Sequence, residues 1–283
     1  MLSDHVTSIL IFAGIDVLMA LSFYLPASAG QISAGQGGFM ALGAYTAAWL
    51  SVEHGVPFAI ALAGGGLVAA LAGVAVGFPA LRLRGLYLIL VTFAFGEMVR
   101  VVFLNAPIVG AAAGYGGIPA STTVAHVLAV LVVVVYALAR IGRARMGLAF
   151  TALRDDETAA EAMGVDSTHV KLTAFATGGL IAGLAGGLYA HYTLFIDPEA
   201  FGVSRSLFAM LYAVFGGLDT LWGAVAGAMV LSTLPELLRW LKDWREIVYG
   251  LVILVTMLVR PHGLVDARLL AHLSARAPRR ARS

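Results

Sequence analysis

Apolar segments long enough to cross a lipid bilayer recur along the whole of this 283-residue chain. A transmembrane helix needs roughly 17 to 25 mostly apolar residues, and by that rule we predict about nine spans. They lie near residues 7–25, 36–51, 57–80, 86–104, 123–139, 172–190, 203–217, 221–238 and 246–260. Because the spans leave no stretch for a soluble domain, the sequence predicts an all-α protein, a polytopic transmembrane helical bundle of about 8–10 spans.

The composition agrees with a membrane protein and argues against several kinds of chemistry. Hydrophobic residues make up 60% of the chain and charged residues 12%, whereas soluble domains carry about 25% charged residues. The chain has no cysteine, so it has no disulfide and no thiolate nucleophile. The motifs H-E-x-x-H, G-x-S-x-G and Walker A Gly-Lys-Ser/Thr are absent, and the histidines lack metal-ligand spacing. We therefore expect no enzyme activity, no metal site and no bound ATP in this chain.

The distribution of Lys and Arg predicts which loops face the cytoplasm. The loops 82–84 and 140–171 and the C-terminal tail hold most of the basic residues, whereas 105–122 holds none and 191–205 holds one. By the positive-inside rule the first group is cytoplasmic and the second is outside. This orientation requires a hairpin of two short segments over 203–238 and an outside N-terminus. Because the basic residues lie in loops between spans, they indicate contact with the lipid bilayer and not with nucleic acid.

The largest cytoplasmic loop contains a short helix with a capping signal at each end. Asp156 precedes the helix and Gly164 follows it, while Asp166 or Ser167 can cap the next span. The acidic residues at its start lie at the positive end of the helix dipole. The small or apolar side chains of this helix form a face suited to contact with another protein, and a solvated connector is the alternative interpretation. These side chains belong to Ala159, Ala160, Ala162 and Met163.

Two short apolar segments are interrupted by Gly and polar residues, at 26–45 and at 215–228. Interrupted segments in corresponding halves of a transporter point to a translocation site. Close helix packing or an ordinary interfacial turn are the alternatives, and packing is the favoured interpretation for the glycines at 179–187. The residues that this pattern nominates for a translocation path are Gln31, Ser33, Gln36, Gly37, Gly216, Gly217, Gly223 and Gly227.

Three ionisable residues fall inside predicted spans: Asp16, Glu97 and Arg100. A charge in the bilayer core costs about 3 kcal/mol on insertion scales, so each is a functional candidate. Glu97 and Arg100 are three residues apart and are predicted to form a structural ion pair. Asp16 has no basic residue near it in sequence. We expect it to hydrogen-bond inside the bundle, to the Ser and Gln residues of 26–45, or to face a water-filled path.

Several segments in a fixed order carry a resemblance to a known family. They read "GQISAGQGGFMALGAYTAA", "FPALRLRGLYLILVTFAFGEMVRVVF", "GRARMGLAFTALRDDETAAEAMGVDSTHVKLTAFATGGLIAGLAGGLYA", "DPEAFGVSRS", "FGGLDTLWGAVAGA" and "VRPHGL". In this order, over about residues 9–265, the chain is similar to the LivM-type permeases of branched-chain amino acid ABC transporters. The outer loop 105–122 and the presence of Asp16, where such permeases usually have Asn, depart from the family pattern, which leaves urea or a short amide as alternative substrates.

The resemblance implies a multi-pass permease of the bacterial inner membrane with a cytoplasmic C-terminus. Its partners would be a second, LivH-type permease, two cytoplasmic ATP-binding subunits that bind ATP and Mg, and a periplasmic amino-acid-binding protein. Residues 1–265 would be the permease domain, with a coupling loop at 140–171, and 266–283 would be a basic tail. The coupling helix that docks on an ATPase would comprise Arg154, Asp155, Asp156, Glu157, Ala159, Ala160, Glu161 and Gly164. A stand-alone secondary transporter or channel, with Asp16 or Glu97 as its coupling residue, is the alternative function.

Overall fold

The computed structural model describes residues 2–80, 83, 85–238, 244–260, 263 and 264, and this part of the chain is almost entirely helical. The helices are α1 Leu2–Ser28, α2 Gln36–Glu53, α3 Phe58–Ala80, α4 Leu86–Leu104, α5 Val124–Arg143, α6 Arg145–Asp155, α7 Glu157–Ala162, α8 Ser167–Thr193, α9 Val203–Gly216, α10 Leu221–Leu237 and α11 Arg245–Val259. Short 3-10 turns lie at Pro107–Val109, Ala111–Ala113 and Pro198–Phe201. Strands β1 (Tyr115–Gly116) and β2 (Phe195–Ile196) form a small antiparallel pair.

Each predicted span coincides with a helix in the described part of the chain. Five helices are long and apolar enough to cross a membrane, and they comprise His5–Ser28, Phe58–Pro79, Leu86–Leu104, Val124–Arg143 and Ser167–Thr193. The predicted hairpin over 203–238 is confirmed as two helical segments, Pro198–Gly216 and Leu221–Leu237, bent by 117°. Helix α2, predicted as a span over 36–51, is not among the five. It has 18 residues, and they include Gln36, Glu53 and three glycines.

Helix α8 forms the centre of the bundle and packs against α1, α2 and α3. Its glycines allow the backbones to approach closely. A Cβ atom at Gly178 would lie 2.7 Å from the Ser22 carbonyl oxygen, and one at Gly179 would lie 2.5 Å from that of Ala69. Van der Waals contact between small residues drives helix association in a membrane, where lipid is as apolar as the helices. The packing interpretation of 179–187 is therefore confirmed.

One end of the bundle holds the loops that were predicted to lie outside. The pair β1–β2 joins the loops 105–123 and 194–202, and the Tyr115 hydroxyl donates a hydrogen bond to Glu53 at the end of α2, over 3.2 Å. Burial, with this hydrogen bond and the Glu53 charge, raises the pKa of Tyr115 to about 12. His5 and Glu236 form a pair between the start of α1 and the end of α10.

The other end holds α6, α7, the α9–α10 turn and the chain after α11, where the Leu264 amide donates to the Phe215 carbonyl. The loops therefore fall into the two groups that the charge distribution predicted. Which group faces the cytoplasm stays a prediction from that distribution. Arg82, Arg84, residues 239–243 and the predicted tail 266–283 lie outside the described residues.

Candidate functional site

The break between α1 and α2, residues 29–35, is a non-helical segment that is mostly buried in protein. Polar side chains satisfy its backbone and that of its neighbours. Ser33 Oγ accepts a hydrogen bond from the Gly35 amide at 3.3 Å and Thr92 Oγ1 accepts one from Ala34 at 2.9 Å. Gln36 Nε2 donates to the Ser22 carbonyl at 3.2 Å. Irregular backbone at membrane depth requires such partners, so Ser33 and Gln36 hold this break in place.

Gln31 differs from the other polar residues of this break. Its side chain is buried, and its Oε1 has no hydrogen-bond partner. Within the described ranges, only two other buried side-chain atoms share this state, the Tyr45 hydroxyl and Arg205 Nη2. Buried polar groups without a partner are costly, so Gln31 and Arg205 mark positions where an additional ligand or partner would be stabilising.

The second break lies between α9 and α10, at Gly217–Thr220, and it depends on close approach of the two helices. A Cβ atom at Gly227 would lie 2.5 Å from the Gly216 amide nitrogen, and one at Gly223 would collide with the Gly217 carbonyl. Gly217 has φ +108°, in the region that favours glycine. Close helix packing in the hairpin thus requires glycine at 216, 223 and 227. Their predicted position along a translocation path stays a prediction.

Gly37, in the first turn of α2, lies against the backbone of residues 201 and 202, just before α9. Its amide donates to Ser206 Oγ at 2.8 Å, and a Cβ atom there would lie 2.6 Å from the Phe201 carbonyl oxygen. The start of α2 is thereby fixed against the start of α9. A large side chain at Gly37 would disrupt this crossing, so a substitution there tests folding as much as transport.

Arg154, at the end of α6, binds the second break and lies next to the first. Its Nη1 donates to the Leu218 carbonyl at 3.2 Å and its Nη2 pairs with Asp219 Oδ1 at 2.6 Å. A Cβ atom at Gly30, in the first break, would lie 3.4 Å from the Arg154 Cα. A cavity of about 470 Å³ adjoins this junction. Its lining includes Tyr24, Ser28, Arg143, Thr151, Asp219 and Thr220.

The loop between α5 and α8 has the predicted caps. Asp156 accepts a hydrogen bond from the Ala159 amide at 3.0 Å, and Asp166 accepts one from His169 at 3.0 Å. Gly164 follows α7 with φ +87°. Asp155 and the outer side of α7 are exposed, and Met163 is 86% exposed. The short helix α7 therefore has a cap at its start and a glycine after its end, while one side of it faces away from the bundle.

The prediction that Ala160 belongs to an exposed apolar face of α7 is wrong, because Ala160 is 5% exposed and belongs to the hydrophobic core. Glu157 and Glu161 also face the chain itself. Glu157 forms an ion pair with Lys171, and Ser167 donates a hydrogen bond to Glu161. The contacts with Lys171 and Ser167 therefore turn these two acidic residues toward the chain, and the other side of the short helix is available to another protein.

The Glu97 and Arg100 side chains form an ion pair with 2.8 Å between Oε2 and Nε. Arg100 Nη1 also pairs with Glu199 Oε1 at 2.6 Å. The pair therefore fastens the end of α4 to the 3-10 turn before α9. This arrangement suits a structural role, since each charge has an opposite charge at hydrogen-bond distance.

Asp16 has a partner that the sequence did not indicate. Arg205 of α9 lies beside it, with 3.6 Å between Nη1 and Oδ1. Asp16 therefore does not bond to the Ser and Gln residues of 26–45, where Ser33 and Gln36 bind backbone groups and each other; the alternative, that it faces a water-filled path, stays a prediction. Arg205 was counted as a loop residue at the edge of a predicted span. Only its position as the one Lys or Arg in the predicted outer loops 105–122 and 191–205 could have drawn attention to it.

Among the described residues, no group of three His, Asp or Glu side chains is arranged to hold a metal ion. The absence of a metal or cofactor in this chain stays a prediction.

The family model and two matches to known proteins that cover most of this chain agree on one family of transport proteins. The family described as branched-chain amino acid transport system permease component matches residues 5–258. The high-affinity branched-chain amino acid transport system permease protein LivM of Salmonella typhimurium is 34% identical, over 91% of this chain and 67% of its own length. The Escherichia coli protein of the same name is 33% identical over the same shares. The autoinducer 2 import system permease protein LsrC of Yersinia enterocolitica is 31% identical over 45% of this chain and 37% of its own. No solved structure matches the chain significantly.

Proposed function

The chain belongs to the family of branched-chain amino acid transport permease components, and on that premise we propose that it is a permease subunit that imports a branched-chain amino acid. Energy would come from ATP hydrolysis in partner subunits. Family membership favours this function over a stand-alone secondary transporter or channel. The two LivM relatives, which belong to branched-chain amino acid transport systems, favour a branched-chain amino acid over urea or a short amide as substrate.

The observation that carries the mechanism is the position of Arg154, whose side chain binds the turn of the second break and whose backbone lies next to Gly30 in the first. The exposed side of α7, with Ala159 and Met163, would bind a groove on an ATPase subunit. Closure of the ATPases would displace α6 and α7 as one body, because the α6–α7 junction is capped and α7 is fixed to α8 through Glu157 and Lys171.

This displacement would be transmitted through Arg154 to Gly30 in the first break and to the turn at Leu218–Asp219 in the second. Breaks in helices are the places where a transporter changes shape, since few backbone hydrogen bonds have to be broken there. The cavity of about 470 Å³ beside the junction leaves space for such a movement. Access to the path would then alternate between the two ends of the bundle.

A second permease subunit would pack against α9. The outer face of this helix has an apolar groove of about 460 Å³, lined by Ser204, Leu207, Phe208, Met210, Leu211 and Val214. Arg205, which follows Ser204 in sequence, keeps 23% of its side chain exposed, and its partner Asp16 keeps 14%. Charges exposed to lipid at membrane depth are costly, so a protein partner or water is expected next to this pair. A LivH-type permease is the partner we propose.

The remaining assignments follow from the same function. ATP and Mg would bind to two cytoplasmic subunits, and an amino-acid-binding protein would deliver the solute at the periplasmic end. The chain would lie in the bacterial inner membrane with residues 140–171 and the C-terminus in the cytoplasm, as the positive-inside rule predicts.

The docking role of α7 is tested by Met163→Arg, which changes an exposed side chain and leaves the interior intact. We expect the ATPase subunits to be lost when the complex is purified, and ATP-dependent leucine uptake into proteoliposomes to fall with them. Ile108→Arg is the matched control, since Ile108 is 74% exposed at the opposite end of the bundle. It should keep the ATPases and the uptake.

Two results would contradict the proposal. Normal ATPase recovery with Met163→Arg would overturn the docking surface. Leucine uptake by the chain without any ATPase subunit, driven by a proton or sodium gradient, would instead support the stand-alone transporter.

A further inference from the structure

We propose that Asp16 and Arg205 form the site that binds the two charges of a zwitterionic amino acid during its passage. Arg205 would bind the carboxylate and Asp16 the ammonium group. This inference rests on the proposed function, and it names the substrate chemistry that the permease itself recognises.

The pair lies at the depth where transporters bind their solutes. Asp16 is 11 residues from His5 and 12 from Ser28, the ends of the apolar part of α1, so it lies about 17–18 Å from either end of that span. Binding sites of transporters are found near the bilayer midplane, beside interrupted helices. Arg205 is in the first turn of α9, one half of the bent pair, and it contacts Met40 of α2, the helix that follows the first break.

The Arg205 guanidinium is incompletely satisfied. Its Nε donates to the Met40 sulfur at 3.4 Å, and a thioether is a weak acceptor. Its Nη2 is buried without a partner. The contact of Nη1 with Asp16 is 3.6 Å, longer than a hydrogen bond. A carboxylate that accepts from two guanidinium nitrogens would remove this deficit, since arginine binds carboxylates in a bidentate manner.

The contrast with the other pair inside a span supports a binding role. In Glu97 and Arg100 the charged atoms are 2.8 Å apart, with a further carboxylate on the same arginine. Asp16 and Arg205 instead neutralise each other at a distance that leaves hydrogen-bonding capacity on both. A zwitterion carries no net charge, so it could exchange partners with the pair without leaving an uncompensated charge in the membrane.

The surroundings suit an aliphatic amino acid. The guanidinium lies over the Tyr189 ring, with Cζ 5.4 Å from the ring centroid, a cation–π contact that holds it in position without using a donor. Tyr189 in turn packs against Phe12 and Phe201. The charged pair is thus bordered by apolar rings, which would accept a branched side chain.

The test uses the complete complex in proteoliposomes with its binding protein and radiolabelled leucine. The double variant Asp16→Asn, Arg205→Gln removes both charges with little change in shape. We expect the complex to assemble and its ATPase to respond to the loaded binding protein, while leucine uptake falls about tenfold or more. The control, Glu97→Gln with Arg100→Gln, neutralises the structural pair and should keep uptake near the wild-type rate.

If the pair only fastens α1 to α9, the neutral double variant will transport leucine normally, and the proposal is overturned. If the double variant fails to assemble, the single variant Arg205→Lys tests the proposal instead. This variant keeps the charge but loses the two-pronged donor, so reduced uptake by an assembled complex supports the site and normal uptake overturns it. A wild-type complex that transports no zwitterionic amino acid would overturn the proposed function itself, a result distinct from failure of the double variant alone.

Discussion

Lys171 is a charged side chain in the interior of the protein. It is 2% exposed, and its ammonium group pairs with the Glu157 carboxylate. A buried charge that loses its partner destabilises a protein far more than an exposed one, because the remaining charge is neither hydrated nor compensated. Glu157 was predicted from sequence as a docking residue, whereas its contacts give it a structural role in fixing α7.

The substitution Glu157→Gln should therefore destabilise the protein by about 3 kcal/mol or more. The loss of helical circular dichroism on heating in detergent measures this effect. Glu161→Gln is the matched control, since Glu161 is exposed and accepts its hydrogen bond from a neutral hydroxyl, and it should change stability by less than about 1 kcal/mol.

Adding Lys171→Met to Glu157→Gln should recover much of the lost stability, because both charges are then removed from the interior. Equal destabilisation by Glu157→Gln and Glu161→Gln would show that the burial of Lys171 has no energetic consequence.

At the scale of elements, the end of α6 is bound to the second helix break through the Arg154 side chain and lies next to the first through its backbone. Asp219 and the Leu218 carbonyl belong to the α9–α10 turn, and Gly30 to the α1–α2 break. The Arg154–Asp219 pair is partly exposed, with 38% and 35% of the side chains accessible. Such a pair contributes about 0–1 kcal/mol to stability, so its main value would be in transmitting movement.

Arg154→Ala should leave the complex assembled but lower the leucine transported per ATP hydrolysed about 5-fold or more, the range of typical coupling energies. Parallel measurements of uptake and ATP hydrolysis in proteoliposomes give this ratio. Arg145→Ala, at the start of the same helix, is the control and should leave the ratio unchanged. An unaltered ratio in Arg154→Ala would exclude a role for this contact in coupling.

At the scale of the whole molecule, the loops divide into two groups at opposite ends of the bundle. The basic group, with 140–171, is predicted to be cytoplasmic, because positively charged loops are retained on that side during insertion. The group with 105–122 and 191–205 is predicted to be outside.

Because the chain has no cysteine, single cysteines can report this orientation. Ala112→Cys should react with a membrane-impermeant maleimide in intact cells that express the chain alone. Ala162→Cys, an alanine that is also exposed but lies at the other end, should react only after permeabilisation. The reverse labelling pattern would invert the predicted orientation.

The sequence alone determined the features that depend on neighbouring residues. Helix α6 was not predicted, but hydropathy located the spans, caps at Asp156 and Asp166 located the starts of α7 and α8, and the Gly-rich segments marked both breaks. These features are local, since a cap or an apolar run acts within one or two helical turns. The family motifs, read in order, were enough to indicate the class of transporter.

The tertiary structure alone decided which distant residues meet. The pairing of Asp16 with Arg205 and of Arg154 with Asp219, and the burial of Ala160, depend on how helices far apart in sequence pack against each other. Hydropathy and periodicity specify a helix and its apolar side but not its neighbours, because small residues allow many close crossings and lipid is as apolar as a helix. The site therefore became visible only when the packing was known.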